Sequence, residues 1–259
     1  MQTVKAFAMK QGADLVSVLN LEAYSGQHEQ EKIEQLLPGA KSLVVLGIGY
    51  LRGVWSGPTR LVVENCRQID LELGRLAQRV GRFLEDGGSA SLPLAAYFPL
   101  EMTAETKGLA GDISFPHAAV AAGLGEIGRN NLLLTPGFGP RVRLSSVLTK
   151  ELLFEAVMPT TVGVGFHPHC SDCSLCMENC PAGAIGEKQF DLRACIKTVA
   201  SPYGLGEMVR YFSGMVGKNV EEIQKRVSDP AVWNFYQNFM VGAYFNCAEC
   251  QRVCPVGAQ

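Results

Sequence analysis

Seven cysteines in two separated runs, with an eighth, Cys195, between them, constrain this chain more than any other feature. The first run is Cys170-Ser-Asp-Cys173-Ser-Leu-Cys176-Met-Glu-Asn-Cys180-Pro181, a C-x2-C-x2-C-x3-C-P spacing. Short steps of this kind curl the backbone so that three thiolates wrap one face of an iron-sulfur cubane, while the fourth, followed by Pro, is led away to a second cubane. A second set is therefore required. Cys247-Ala-Glu-Cys250-Gln-Arg-Val-Cys254-Pro255 repeats the spacings but lacks one cysteine, for which Cys195 is the substitute. The crossed rule assigns Cys170, Cys173, Cys176 and Cys254 to one [4Fe-4S] cluster and Cys180, Cys195, Cys247 and Cys250 to the other. Cys66 stands apart in Glu-Asn-Cys-Arg-Gln, at the start of an amphipathic stretch, and reads as a buried or half-buried thiol.

Zinc ribbons also use C-x2-C pairs, but they group four ligands in twos, whereas two interleaved runs each closed by Cys-Pro are the iron-sulfur pattern. Disulfides need an oxidising compartment. The stretch Met1-Gln-Thr-Val-Lys-Ala-Phe-Ala-Met-Lys10 has no sustained apolar core of a secretion signal, so a cytoplasmic location with reduced thiols is expected. A chain of 259 residues, 47% hydrophobic and 19% charged, has room for one large core and a smaller module. We expect domains at 1–160 and 161–259, the second carrying a helical insert at 196–246. With 23 basic and 25 acidic residues the net charge is -2, which supplies no broad phosphate-binding field, and no nucleic-acid partner is expected. The longest apolar stretch, around Leu43 to Leu51, is shorter than the roughly 20 residues of a bilayer span, so no membrane partner is expected either.

Periodicity predicts alternating helices and strands over a sheet in the first domain. Thr3 to Gln11 has helix-compatible spacing, and Gly12 to Leu19 reads as a helix end feeding a strand. Residues 29 to 37 predict a second helix, stopped by Pro38-Gly39. Ser42-Leu-Val-Val-Leu-Gly-Ile-Gly-Tyr50 suits a buried central strand. From Val63 to Glu85, Ile69, Leu73, Leu76, Val80, Phe83 and Leu84 recur at mostly three- and four-residue steps, one face of a long helix that Gly87-Gly88 ends. Ala90 to Tyr97 predicts an edge strand, because Pro93 cannot donate to a ladder.

The segment Asp112 to Thr149 contains Gly123-x-Gly125-x-x-Gly128, on paper a dinucleotide fingerprint. Such a turn needs a strand before the glycines and a helix after them. Here an Ala-rich helix, Pro116 to Ala122, precedes, and the strand-like Leu132 to Thr135 follows, so that reading is rejected. Gly123 is expected to end a helix. Gly125 and Gly128 either let the backbone approach something large and flat or make tight turns. Arg141 and Arg143 fall on one face of a strand, facing either an acidic cofactor edge or solvent.

The combination A-x-x-A-G-L-G-x-x-G-x-x-x-L-L-x-T-P-x-x-G-P-R over Ala119 to Arg141, followed by C-x2-C-x2-C-x3-C-P, resembles the epoxyqueuosine reductase and reductive dehalogenase superfamily. Gly12 to Val18, the strand at 42 to 50 and the isolated Cys195 are also similar to that group. The resemblance implies an α+β protein, in which a nitroreductase-like α/β cobalamin-binding core is followed by a two-cluster bacterial ferredoxin-like domain. It further implies that Gly123, Gly125, Gly128, Arg129, Asn130, Pro136, Gly139 and Arg141 are cofactor-binding. In such enzymes cobalt performs the reductive chemistry and the protein supplies a proton donor beside it. This chain departs from the tRNA-modifying members, which are similar in the glycine segment but carry D-x-x-P-x-x-E ahead of it. The position equivalent to their acid is Leu109, and Asp112 lies three residues off. Those members also continue into helical repeats, whereas this sequence ends at Gln259, and the twin-arginine signal of respiratory dehalogenases is not visible. A short, cytosolic relative is therefore expected.

Asp112 and His117 are the catalytic candidates, with Tyr97 and Glu126 as further acids near the same segment. His117, on the Ala-rich helix, also suits a packing role. His167 and His169 flank Pro168 just before Cys170 and suit hydrogen bonding beside a cluster better than ligation. Between Cys195 and Cys247, Asn219 to Val227 predicts an amphipathic helix, and Asp229-Pro230 caps and opens another. Val232, Trp233, Phe235, Tyr236, Phe239 and Met240 then either cover a cofactor or pack between domains. Ser201 to Gly206 reads as a turn.

The expected function is an iron-sulfur oxidoreductase passing electrons from a low-potential donor, ferredoxin or flavodoxin, through two clusters to a bound corrinoid that reduces a small organic substrate. The alternatives are an electron-transfer protein or reductive activator serving a corrinoid protein, and a nitroreductase-like iron-sulfur protein holding FMN.

Overall fold

The computed structural model describes residues 2–24, 27–94, 96, 111, 113–158, 166–199, 205–236, 240 and 247–257. The chain divides into two compact units that interleave in sequence. Unit 1 takes residues 1–50, 68–173 and 254–259, and unit 2 takes 51–67 and 174–253.

Unit 1 is built on an antiparallel, helix-covered sheet of β1 (Leu15–Asn20), β2 (Ser42–Gly49), β3 (Ser91–Leu94) and β6 (Val142–Thr149), in the order β1-β2-β6-β3. Each neighbouring pair is antiparallel, with Leu15 opposite Gly47, Ser42 opposite Thr149 and Leu94 opposite Ser146. β2 is central, as its unbroken apolar run predicts, and Pro93 confines β3 to an edge. Because side chains alternate across a strand, β2 feeds two cores. Leu43 and Val45 pack with Leu19, Leu144 and Leu148 beneath α4 (Phe115–Ala121) and α2 (Gln27–Leu36). Val44 and Leu46 pack with Val18, Val147, Leu73, Leu76 and Val80 beneath α1 (Val4–Lys10) and α3 (Thr59–Asp86). Burial of each such side chain is worth about 1.5–3 kcal/mol, which fixes the strand register wherever both faces are covered.

The element order that follows positions the site. Four consecutive small or apolar residues of α4, Ala118 to Ala121, are buried. The helix closes in a Schellman turn: Gly123 N–H donates to Val120 and Leu124 N–H to Ala119, both at 2.9 Å. Gly123 takes φ +75°, the left-handed conformation that glycine adopts without a Cβ penalty. A hairpin follows, β4 (Glu126–Ile127) against β5 (Leu133–Leu134), its turn completed by Asn131 at φ +59°. Glycines preceded by a helix and followed by a strand are the reverse of a dinucleotide turn.

Among its described residues, unit 2 is helical apart from an isolated bridge between Ile185 and Phe190. It contains α5 (Leu175–Glu178), α6 (Leu192–Val199), α7 (Leu205–Ser213), α8 (Val220–Val227), α9 (Pro230–Tyr236) and α10 (Glu249–Arg252). α8 starts with a full capping box between Asn219 and Glu222. Tyr211, Phe212 and Phe235 form an aromatic cluster with centroid distances of 5.5–6.2 Å, and the Tyr211 hydroxyl donates to the Arg226 carbonyl at 2.6 Å. Of the bulky α9 side chains, Phe235 is buried whereas Trp233 is 60% exposed. The turn expected at Ser201 to Gly206 is corrected at its end: Leu205 and Gly206 already belong to α7, where the run Leu205 to Ser213 outweighs one glycine. Residues 201–204 lie outside the described residues. No helix among the described residues is long and apolar enough to cross a membrane.

Candidate iron-sulfur centres

All nine cysteines are described, and none is in a disulfide. Cys66 is buried in α3, and the other eight are half-buried. Local structure delivers those eight. Cys170 ends a 3-10 turn opened by Pro168, Cys176 lies on α5, Cys195 on α6 and Cys250 on α10. Asp191 caps α6 through its carboxylate, accepting from Ala194 N–H at 2.9 Å, and so fixes Cys195 one residue on.

The thiols form two groups. In unit 1, Cys254 lies close enough to Cys170 and Cys173 for each to raise its pKa. Burial is the larger cause of that rise, and the Val256 N–H and the Arg141 guanidinium oppose it. In unit 2, burial first, then Cys247 and Cys180, pushes Cys195 up to about 11. Burial, then Cys247, Cys195, Cys176 and Cys180, pushes Cys250 up to about 12. Burial also raises Cys247, against a hydrogen bond from the Glu249 N–H. A backbone N–H, that of Ala184, points at Cys180 Sγ at 3.3 Å. N–H groups aimed at sulfur are the outer-shell donors that cluster thiolates use. Among the described residues no group of three or more His, Cys, Asp or Glu is arranged to hold a single metal ion. A cubane spreads its thiolates over different irons and asks for wider spacing.

These raised thiols carry a pH signature in the apoprotein. Unfolded thiols ionise near their ordinary value of 9.0, while folded Cys195 and Cys250 stay protonated up to about 11 and about 12. Above pH 9 the unfolded chain therefore binds fewer protons than the folded one, so stability is complete below that pH and is lost as pH rises through the folded values. We expect the apoprotein's melting temperature, followed by circular dichroism, to fall between about pH 8 and about pH 11. A flat profile would contradict the burial described here.

The glycine segment serves these cysteines. Arg129 Nη1 donates to the Cys173 carbonyl at 2.8 Å. Arg141 Nη1 donates to the Cys254 carbonyl at 2.8 Å and its Nη2 to the Val256 carbonyl at 2.6 Å. Ile127 accepts from His167 N–H at 2.9 Å. Gly139 and Gly257 let the two stretches touch: a Cβ on Gly139 would stand 1.9 Å from the Val256 oxygen, and one on Gly257 2.1 Å from the Gly139 nitrogen. Gly125 and Gly128 are likewise occupied by the chain itself, packed against Leu134. Asn130 is buried and its side chain accepts from Leu132 N–H at 3.3 Å, while Pro136 is exposed.

Arg141 is buried, and Arg143 is partly exposed. Arg143 makes a two-bond pair with Asp70 of α3, Nε to Oδ1 at 2.8 Å and Nη2 to Oδ2 at 2.9 Å. Sequence reasoning missed Asp70, although it sits three residues before Leu73 and seven before Ala77, inside the buried stripe of α3. It also missed the roles of Arg129 and Arg141 toward Cys173 and Cys254, for which sequence offers no signal. His117 is on the exposed side of α4, with Nδ1 2.6 Å from Ser114 Oγ. Glu126 is exposed. Asp112 and Tyr97 lie outside the described residues. His167 and His169 stack at 5.3 Å, and His167 Nδ1 accepts from His169 N–H at 3.2 Å.

No family model matches the chain. It is 23% identical over 248 residues to an epoxyqueuosine reductase of Bacillus cereus, covering 90% of this chain and 54% of that one. It is 46% identical over 77 residues to a tetrachloroethene reductive dehalogenase of Desulfitobacterium hafniense, covering 30% of this chain and 13% of that one. Relatives named epoxyqueuosine reductase and reductive dehalogenase, with solved neighbours of both kinds, support that superfamily for this chain. The chain spans about half the length of the superfamily's curated epoxyqueuosine reductase and far less of the dehalogenase. Solved structures of both kinds share its fold. An epoxyqueuosine reductase with an epoxyqueuosine-modified tRNA-Tyr stem loop superposes at TM-score 0.56 and 17% identity, over 98% of this chain and 64% of that one. A reductive dehalogenase whose structure suggests a mechanism for B12-dependent dehalogenation superposes at TM-score 0.54 and 18% identity, over 74% of this chain and 28% of that one.

Proposed function

We propose that this chain is an iron-sulfur oxidoreductase with two [4Fe-4S] clusters, which carry electrons from a low-potential donor of the ferredoxin or flavodoxin class to a corrinoid and a small organic substrate. The observation that carries the reading is the grouping of the cysteine thiols, Cys254 with Cys170 and Cys173, and Cys250 with Cys180, Cys195, Cys247 and Cys176. The ferredoxin spacing assigns Cys176 to the first cluster, while its thiol also acts on Cys250. Buried thiols with N–H donors aimed at them fit an anionic cluster, whose binding releases their protons. In this reading unit 1 supplies a nitroreductase-like core and the cysteine-rich part a ferredoxin-like module.

The corrinoid draws its support from the superfamily, in which one member is B12-dependent. When bound, such a group supplies cobalt-centred reduction. The glycine segment does not add to that support, because Gly125, Gly128, Arg129, Gly139 and Arg141 contact the chain's own backbone and side chains. This favours a second reading, an electron-transfer protein or reductive activator that serves a corrinoid partner and has no substrate of its own.

Anaerobic reconstitution with iron and sulfide, followed by metal analysis and an absorption spectrum, tests both. About eight irons per chain are expected. Zinc in their place would sink the cluster reading. Cobalt retained with a corrinoid spectrum supports the reductase, turnover only with an added corrinoid protein supports the activator, and a flavin spectrum would replace the corrinoid with FMN.

A further inference from the structure

We propose that Arg129 and Arg141 are positioning residues for the first cluster, clamping the backbone of its ligands Cys173 and Cys254 and raising its reduction potential through their positive charge. This inference rests on the cluster reading above. Three guanidinium hydrogen bonds reach that ligand set: 2.8 Å to Cys173 O, 2.8 Å to Cys254 O and 2.6 Å to Val256 O. Arg141 is itself buried, 8% exposed, so its charge acts where water screens it little.

The two arginines join halves of the ligand set that are far apart in sequence. Cys173 and Cys254 are brought to opposite ends of one short segment, from Arg129 on the β4–β5 turn to Arg141 at the start of β6. The close approach of Gly139 and Gly257 lets Arg141 reach the carbonyls of both Cys254 and Val256 across the contact. The guanidiniums bind the carbonyls of the ligand residues, and the Arg141 charge acts on the Cys254 thiol. Positive charge so placed favours the more negative, one-electron-reduced cluster. The Arg fork explains why lysine is not equivalent here: a single ammonium keeps the charge but cannot repeat the two-carbonyl geometry of Arg141.

The test uses the full reconstituted chain. Each cluster is titrated with a one-electron reductant, europium(II), and followed by electron paramagnetic resonance, the first cluster being recognised as the signal that Cys254→Ser alters. Arg141→Gln is expected to disfavour reduction of the first cluster about tenfold, a fall of about 59 mV, and to leave the second unchanged. Arg129→Gln is expected to act in the same direction, and Arg141→Lys to recover most of the potential. Selective loss of the first cluster's iron in Arg141→Gln, with the second retained, also supports the clamp. Unchanged potentials at full iron content in both Gln variants, or equal shifts in both clusters, would overturn it. A wild-type chain that binds no cluster would instead refute the underlying functional reading.

Discussion

The double variant Cys170→Ala/Cys254→Ala is expected to keep about half of the wild-type iron, whereas Cys170→Ala/Cys250→Ala is expected to keep almost none. Both variants remove two thiols, one from each distant stretch, so any difference reports which thiols share a cluster. The grouping predicts the outcome: Cys254 is coupled to Cys170 and Cys173, and Cys250 to Cys247, Cys195, Cys176 and Cys180. A second lesion in a cluster already lost costs nothing further, while a lesion in the surviving cluster costs the remainder. Iron and sulfide determination after anaerobic reconstitution checks it. Almost complete loss of iron in both variants would mean that each cysteine run holds its own cluster and that the crossing is wrong.

The sequence proposes a cysteine partition through the Cys-Pro step, which has few local solutions. Pro181 and Pro255 lack an N–H and stiffen the chain directly after Cys180 and Cys254, leading each thiol away from its own run. The sheet was legible from local pattern: β2 is apolar from Leu43 onward because both of its faces are covered, and Gly39, Gly88 and Gly123 punctuate helix ends with positive φ. What sequence did not disclose is the use of the glycine segment. Gly139 reads as a turn residue, and only in three dimensions does the Val256 oxygen occupy the place of its missing side chain. Arg129 and Arg141 read as cofactor ligands because a guanidinium carries no mark of whether its partner is a phosphate, a carboxylate or a backbone carbonyl. Asp70 escaped because a helical stripe is recognised by its apolar members, and one carboxylate among them is discounted as noise.

That carboxylate supports the second large effect. Asp70 is wholly buried at its side chain, whereas the Arg143 side chain retains 31% exposure. The two ends of the pair therefore fail differently. Arg143→Met leaves a carboxylate among Leu73, Ala77 and Val80 without its cation, and is expected to cost about 3–5 kcal/mol. Asp70→Leu leaves a guanidinium that can turn to water, and is expected to cost less, about 1–3 kcal/mol. Replacing both, Asp70→Leu/Arg143→Met, removes the desolvated charges together and is expected to fall close to wild type, because well-packed apolar residues often replace a buried ion pair without loss. Urea unfolding of the three variants measures this directly, with each kcal/mol moving the melting temperature by about 2–4 °C in a chain of this size. Equal losses in both single variants, adding up in the double, would show that Asp70 and Arg143 act independently and that the pair does not anchor α3 to β6.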